Sequence, residues 1–263
     1  MCGYAFGDSA PAARRLALLA EVFEPPSRGL LERFAGVPLD LAVDLGCGPG
    51  HTTRLVASVT GARRTLGLDQ SEAFVALAAA GAPPGVSFAV HDVTVVPFPA
   101  GPAGLVYGRF LLSHLPDPAA ALAAWATQLA PGGLLLVEEV ERIHTAQPAL
   151  RRYLDTAAAL LAARGHTLEI GAALHRLPDP PGVVRRLDRV APLAALAASL
   201  FAQNWPSGAA TRSAPGSRPR PPMTGWPPAW PRSRRARPRG RSPGSCASSP
   251  SSGPRPSRPA PRR

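Results

Sequence analysis

The seven residues Asp44-Leu45-Gly46-Cys47-Gly48-Pro49-Gly50 constrain this chain more than any other stretch. They join an apolar run, 39–45, to a segment with helical spacing, 51–59. Glycine reaches backbone conformations closed to other residues, so this spacing predicts a sharp turn from strand to helix. The same alternation continues downstream. Strand-like runs fall at 65–68, 86–90, 104–107 and 134–138. Helices are expected at 71–80, capped by Ser71, and at 119–129, ending before Pro131-Gly132-Gly133. Strands alternating with helices imply right-handed βαβ units. The strands read as continuous apolar runs, as befits strands covered on both faces. The expected architecture is α/β, with a doubly wound, mostly parallel sheet.

Residues 9–34 read as helical, with Ser9 as cap and Leu16, Leu19, Val22 and Phe23 at helical spacing. Pro25-Pro26 is expected to break that helix in two. A helix is expected at 148–164, an edge strand at 183–190 and a short helix at 194–203. Composition changes abruptly after Trp205. Residues 206–263 contain no Leu, Ile, Val, Phe or Tyr, but 15 prolines and 13 of the 29 basic residues, with no acid. Such a segment cannot bury enough apolar surface to offset its ordering entropy, so disorder is expected there. The formal net charge of +12 therefore belongs to this tail. Residues 1–205 carry 16 Arg against 17 acids, and Lys is absent altogether. The body gives no reason to expect a nucleic-acid partner. Three parts are expected: a helical segment 1–36, the α/β domain 37–205 and the tail 206–263.

The three cysteines, Cys2, Cys47 and Cys246, are too scattered for a disulfide framework and lack zinc-ligand spacing. The six histidines form no recognisable metal cluster. No uninterrupted 18-residue apolar run suggests a membrane span, and the N-terminus does not read as a signal peptide. A cytoplasmic protein is the expectation.

The glycine loop has the form G-x-G-x-G, not the dinucleotide pattern G-x-G-x-x-G, and no Lys follows it as in a phosphate-binding loop. Asp44, two residues before the first glycine, would repel a pyrophosphate but suits an ammonium group. Asp69 ends the next strand, where a carboxylate can accept both hydroxyls of a ribose. Asp92 follows the third strand run; it can accept the exocyclic amine of adenine, with Val93 packed on the ring. S-adenosyl-L-methionine has an ammonium, a ribose and an adenine, and no phosphate.

On these residues the chain resembles the class I S-adenosylmethionine-dependent methyltransferases of small-molecule type. Residues 41–50 resemble their first motif, and Gly67-Leu68-Asp69 the end of their second strand. Residues 106–118, Val-Tyr-Gly-Arg-Phe-Leu-Leu-Ser-His-Leu-Pro-Asp-Pro, are similar to the fourth-strand motif of enzymes related to quinone C-methylating ones. Phe6-Gly7-Asp8 with Arg14-Arg15-Leu16, and Glu138-Glu139-Val140-Glu141 with Tyr153-Leu154, resemble a bacterial subgroup. The resemblance covers about residues 4–204. It implies a Rossmann-like fold, S-adenosyl-L-methionine as cofactor and a small-molecule acceptor. It also implies a lid over the donor at the N-terminus, including Tyr4 and Phe6. The implied donor-binding residues are Asp44, Gly46, Cys47, Gly48, Gly50, Asp69, Gln70, Asp92, Val93, Arg109 and Phe110.

Plainer readings stand beside these. The glycines can form a bare turn, Asp44 can cap it, Asp69 can cap the helix at Gln70-Ser71, and Asp92 can be a surface turn residue. His114 can take a proton from the acceptor as the candidate catalytic residue, or close its loop by hydrogen bonding. One of Glu138 and Glu139 is expected to face the pocket. His144, His166 and His175 read as surface residues. Near Asn204 the resemblance stops, where related proteins continue to a final strand. An all-Arg chain points to a GC-rich gene, and out-of-frame reading of such a gene yields Arg, Pro, Ser, Gly and Ala. A frameshift near codons 203–210 is the expectation, with the final strand lost. It would leave a remnant that at most binds the donor, while the Arg-rich tail could add non-specific nucleic-acid binding.

Overall fold

The computed structural model describes residues 7–183 and Arg189. Tyr4, Phe6, the segment 194–203 and the tail 206–263 lie outside these residues. Among the described residues the chain runs α1 (Ala10–Glu32), β1 (Leu41–Leu45), α2 (His51–Thr60), β2 (Arg64–Asp69), α3 (Glu72–Ala79) and β3 (Val86–Val90). It continues with β4 (Ala103–Arg109), a 3-10 turn (Leu112–His114), α4 (Pro118–Ala126), β5 (Leu129–Glu138), α5 (Pro148–Ala162) and α6 (Gly171–Leu174). The five strands form one parallel sheet in the order β3-β2-β1-β4-β5. The chain moves outward from β1 to β3, then crosses to the other side of β1 for β4. The order therefore reverses between β1 and β4, and ligands of such sheets bind at the carboxyl ends there. Register brings Asp44 level with Gly67 and Tyr107, and Arg109 level with Glu138.

All five residues of β1 are buried. On one face Val43, Leu66, Leu68 and Val106 pack with Phe98, Leu112 and Trp125 of the following segments. On the other, Ala42, Leu105 and Tyr107 pack with Leu31 of α1 and Leu55 and Val56 of α2. Trp125 is fully buried, and its indole Nε1 donates to the Val93 carbonyl at 2.8 Å. This bond ties α4 to the loop after β3.

The expected break at Pro25-Pro26 does not occur: α1 runs through both prolines. The fixed φ of proline is itself helical, and the pair removes two backbone donors without redirecting the chain. Val22 before the pair and Ser27 and Leu31 after it are all buried, so packing holds the helix across the gap. The helix expected to reach 129 ends instead at Ala126. Thr127 and Gln128 N–H turn back three residues to Ala124 and Trp125 carbonyls. β5 begins earlier than expected, at Leu129. It carries Pro131-Gly132-Gly133 as an irregularity between its pairings with Ala103 and Leu105. Val183, the first residue of the expected edge strand, is in no strand; Arg189 apart, the rest of that segment lies outside the described residues. No helix among the described residues is long and apolar enough to cross a membrane.

Candidate functional site

Gly46, Gly48 and Gly50 all take left-handed φ, at 62°, 50° and 83°. That explains why glycine stands at each. Space adds a second reason at two of them. A Cβ on Gly46 would lie 2.8 Å from Leu111, and one on Gly50 would lie 2.8 Å from the Phe88 ring. A Cβ on Gly48 would meet only Leu16, at 3.4 Å. Cys47 donates its N–H to the Leu68 carbonyl, which pins the loop to β2. Burial pushes its thiol far up, so it stays a small neutral filler.

Asp44 is 1% exposed. Its Oδ2 accepts the hydroxyls of Thr52 and Thr53, each at 2.6 Å, from the first turn of α2. Its Oδ1 is buried without a partner. Burial raises its pKa to about 6, against the pull of the two hydroxyls and of Arg109. Asp69 accepts Gly48 N–H on Oδ2 at 2.8 Å and Ser71 N–H on Oδ1 at 2.9 Å. It thus braces the glycine loop and the start of α3 together. Ser71 itself caps α3, accepting from Phe74 N–H. Burial raises the Asp69 pKa too. Gln70 is exposed beside it.

Asp92 stands apart from this pair. It is exposed, and its Oδ1 accepts both the N–H and the hydroxyl of Thr94, at 2.9 and 2.7 Å; these bonds lower its pKa. Val93 belongs to the core.

At the ends of β4 and β5 a second polar cluster forms. The Arg109 guanidinium donates to Ser27 Oγ at 2.9 Å. Ser27 donates to Glu138 Oε2 at 3.1 Å, and the Tyr107 hydroxyl donates to Glu138 Oε1. Phe110 has a left-handed φ of 54° and meets Phe23 of α1 edge-on, ring centroids 4.7 Å apart. A non-glycine residue at such φ is strained, and strain of this kind gathers at functional sites. Ser27, Tyr107, Thr52 and Thr53 were not among the sequence candidates. The two threonines had a signal, since they open the helix after the glycine loop; Ser27 had none.

His114 is largely buried. Burial, with His166 and Arg15 nearby, lowers its pKa to about 4. The imidazole is therefore neutral at physiological pH and a weak base. His166, expected at the surface, is half-buried, its ring centroid 6.1 Å from that of His114. The turn after α5 folds it back onto the sheet end, which no local pattern announces. His144 and His175 are exposed as expected. Among the described residues no three His, Cys, Asp or Glu gather as a metal site. A cavity of about 230 Å³ lies between α1 and the start of α2, lined by Glu21, His51, Thr52 and Arg109 among others. A larger one, about 850 Å³, lies beside α5 and is lined by Ile143, His144, Arg151, Asp155, His166 and Glu169 among others.

A sequence profile described as a methyltransferase domain matches residues 42–133. Trans-aconitate 2-methyltransferase of Methylobacterium radiotolerans is 34% identical over 182 residues, 68% of each chain. The enzyme of that name from Streptomyces avermitilis is 40% identical over 117 residues, 42% of this chain and 43% of its own. The chain thus spans about two thirds of the first relative and less than half of the second. A crystal structure of an S-adenosylmethionine dependent methyltransferase from Mesorhizobium loti superposes with TM-score 0.39 at 31% identity, covering 44% of this chain and 53% of that one.

The residues present fit the donor that this family uses. The unpartnered Oδ1 of Asp44 is a buried acceptor suited to an ammonium. Asp69 Oδ2 holds the Gly48 N–H and Oδ1 the Ser71 N–H, the Gln70 N–H also bonds the carboxylate, and lone-pair capacity remains for a hydroxyl. The chain belongs to the class I methyltransferases, whose methyl donor is S-adenosyl-L-methionine.

Proposed function

We propose that this chain transfers a methyl group to a small-molecule acceptor, with a carboxylic acid as the first class to test. The observation that carries the reading is the pair of acids, buried Asp44 and half-buried Asp69, flanking the glycine loop at the point where strand order reverses. Asp44 would hold the donor's ammonium and Asp69 its ribose. Gly46, Gly48 and Gly50 would let its backbone pass close. Asp92, Gln70, Arg109 and Phe110 complete the assigned donor side, and Cys47 and Val93 support it from beneath.

When bound, the sulfonium supplies a methyl group already activated for transfer. The chain's own contribution is then to align the acceptor with the methyl group and keep water out. The acceptor is assigned to the larger cavity, whose volume suits a small molecule and whose His166 meets His114 at the sheet end. A carboxylate acceptor is ionised at neutral pH and needs no base. The low pKa of His114 agrees with that, and favours its loop-shaping role over proton removal. The relatives' name, trans-aconitate 2-methyltransferase, makes trans-aconitate the first acceptor to try.

The test is product mass after incubation of the full chain with S-adenosyl-L-methionine and a panel of carboxylic acids, phenols and amines. A methylated acid is the expected product. Donor binding without transfer to any small acceptor would overturn the reading.

A further inference from the structure

Glu138 ends the fifth strand and Glu139 follows it, and the structure separates them. Glu138 joins Ser27 and Tyr107 under α1. Glu139 turns the other way, onto the backbone that follows β4. Its Oε1 accepts Leu111 N–H at 2.7 Å and Leu112 N–H at 2.6 Å. Its Oε2 is buried with no partner. The two amides follow directly on Phe110, the residue held at left-handed φ. Leu111 in turn leans on the glycine loop, its Cδ1 lying 2.8 Å from where a Gly46 Cβ would be. The path from Glu139 to the loop is therefore one hydrogen-bonded turn and one side chain.

We propose that Glu139 is a positioning residue for the donor site: it holds the turn after β4 in its strained form, and through Leu111 sets the seat of the glycine loop. This rests on the glycine loop being the donor site. Among the described residues Glu139 is the acceptor that holds the amides of Leu111 and Leu112. A buried charge with one oxygen unsatisfied is costly, so the group stays un-ionised near neutrality. Burial pushing its pKa to about 8 agrees. A neutral amide of the same shape should then do the same work. A methyl group in its place should not, because the two amides would lose their acceptor.

The test measures S-adenosyl-L-methionine affinity by calorimetry on the full chain. Hydrogen exchange is read at the amides of Leu111 and Leu112. Glu139→Gln should bind within twofold of wild type with both amides protected. Glu139→Ala should bind at least tenfold more weakly, with faster exchange at both. If that variant does not fold, Glu139→Asp serves, since it draws the acceptor back by one methylene. It should lose at least threefold in affinity and protection at the same amides. Folded Ala or Asp variants with wild-type affinity would overturn the proposal, as would a tenfold loss in the Gln variant. Asp69→Ala run alongside separates the two readings. If wild type binds and Asp69→Ala does not, while Glu139 variants bind normally, only the positioning role fails. If wild type does not bind, the donor-site reading fails and takes this one with it.

Discussion

The carboxyl ends of β1 and β2 and those of β4 and β5 hold acids at the same edge of one sheet, yet they are built in opposite ways. At β1 and β2 the parts come from adjacent strands and the turns that follow them, and all but one of the bonds are short-range, the exception joining Asp69 to Gly48 across 21 residues. Asp44 bonds Thr52 and Thr53, eight and nine residues on, and Asp69 bonds Ser71 and the loop glycine Gly48. At β4 and β5 the parts are strangers in sequence. Ser27 reaches Glu138 across 111 residues, and Glu139 reaches Leu111 across 28. The first region can keep its geometry as long as the loop closes. The second exists only when α1, β4 and β5 are all in place. Mutations in the first should show mainly in donor affinity. In the second, those at Ser27 and Glu138 should show mainly in stability, and those at Glu139, whose turn leans on the glycine loop, in both.

The largest effect is expected from Gly48→Val. The left-handed φ of 50° is strained for any side chain and more so for a β-branched one. A Cβ there meets only Leu16 within 4 Å, so the first carbon of the side chain displaces no backbone. Donor affinity should fall at least 100-fold by calorimetry, while the unfolding midpoint moves by only a few degrees. A variant that binds normally would remove the loop from the site.

Asp69→Ala comes next. It removes a charged acceptor of hydroxyl bonds, each worth about 1.5–3 kcal/mol when charge-assisted. It also frees the Gly48 N–H that Asp69 holds at 2.8 Å. Donor affinity should fall at least tenfold. A change below twofold would leave Asp69 as a brace for α3 alone.

The contrast between the two regions also explains what was legible in the sequence. The glycine loop, β1 to β4 and the Ser71 cap are local patterns, and the structure has each within about two residues of its expected place, whereas β5 starts at Leu129 rather than Leu134. Pro25-Pro26 was misjudged by a local rule, because buried residues on both sides overrode it. Glu138 and Glu139 could be told apart only in part. Successive residues at a strand end point to opposite faces, but the sequence does not say what each face meets. Their partners on α1 and the turn after β4 come from tertiary packing. So does the meeting of His166 with His114.

A pH series sharpens the second region. Glu139 has its pKa raised from 4.5 to about 8, so folding favours its protonated form. Its stabilising contribution is present below pH 4.5 and is lost as pH climbs through about 8. Asp44, raised to about 6, and His114, lowered to about 4, titrate alike in wild type and in Glu139→Gln, so they cancel in the difference. Between pH 6.5 and 8 the wild type should therefore lose about 1.6 kcal/mol relative to Glu139→Gln, at 1.36 kcal/mol per pH unit with the slope falling off as the group half-ionises at about 8. Denaturant titrations at the two pH values measure it. Parallel curves for wild type and variant would mean that Glu139 is ionised in the folded chain.

The smallest effect on binding is expected from Ser27→Ala. Ser27 is fully buried, accepts from Arg109 and donates to Glu138. Its loss removes two bonds to charged groups at once, at a cost of about 2–3 kcal/mol. The unfolding free energy should drop by about that much. Donor affinity should change by less than threefold, since neither Asp44 nor Asp69 bonds to this cluster. A tenfold loss of affinity in a variant of normal stability would reverse the division drawn here. It would mean that the Ser27–Arg109 bond holds the donor side in shape, and would make α1 part of the binding site rather than its cover.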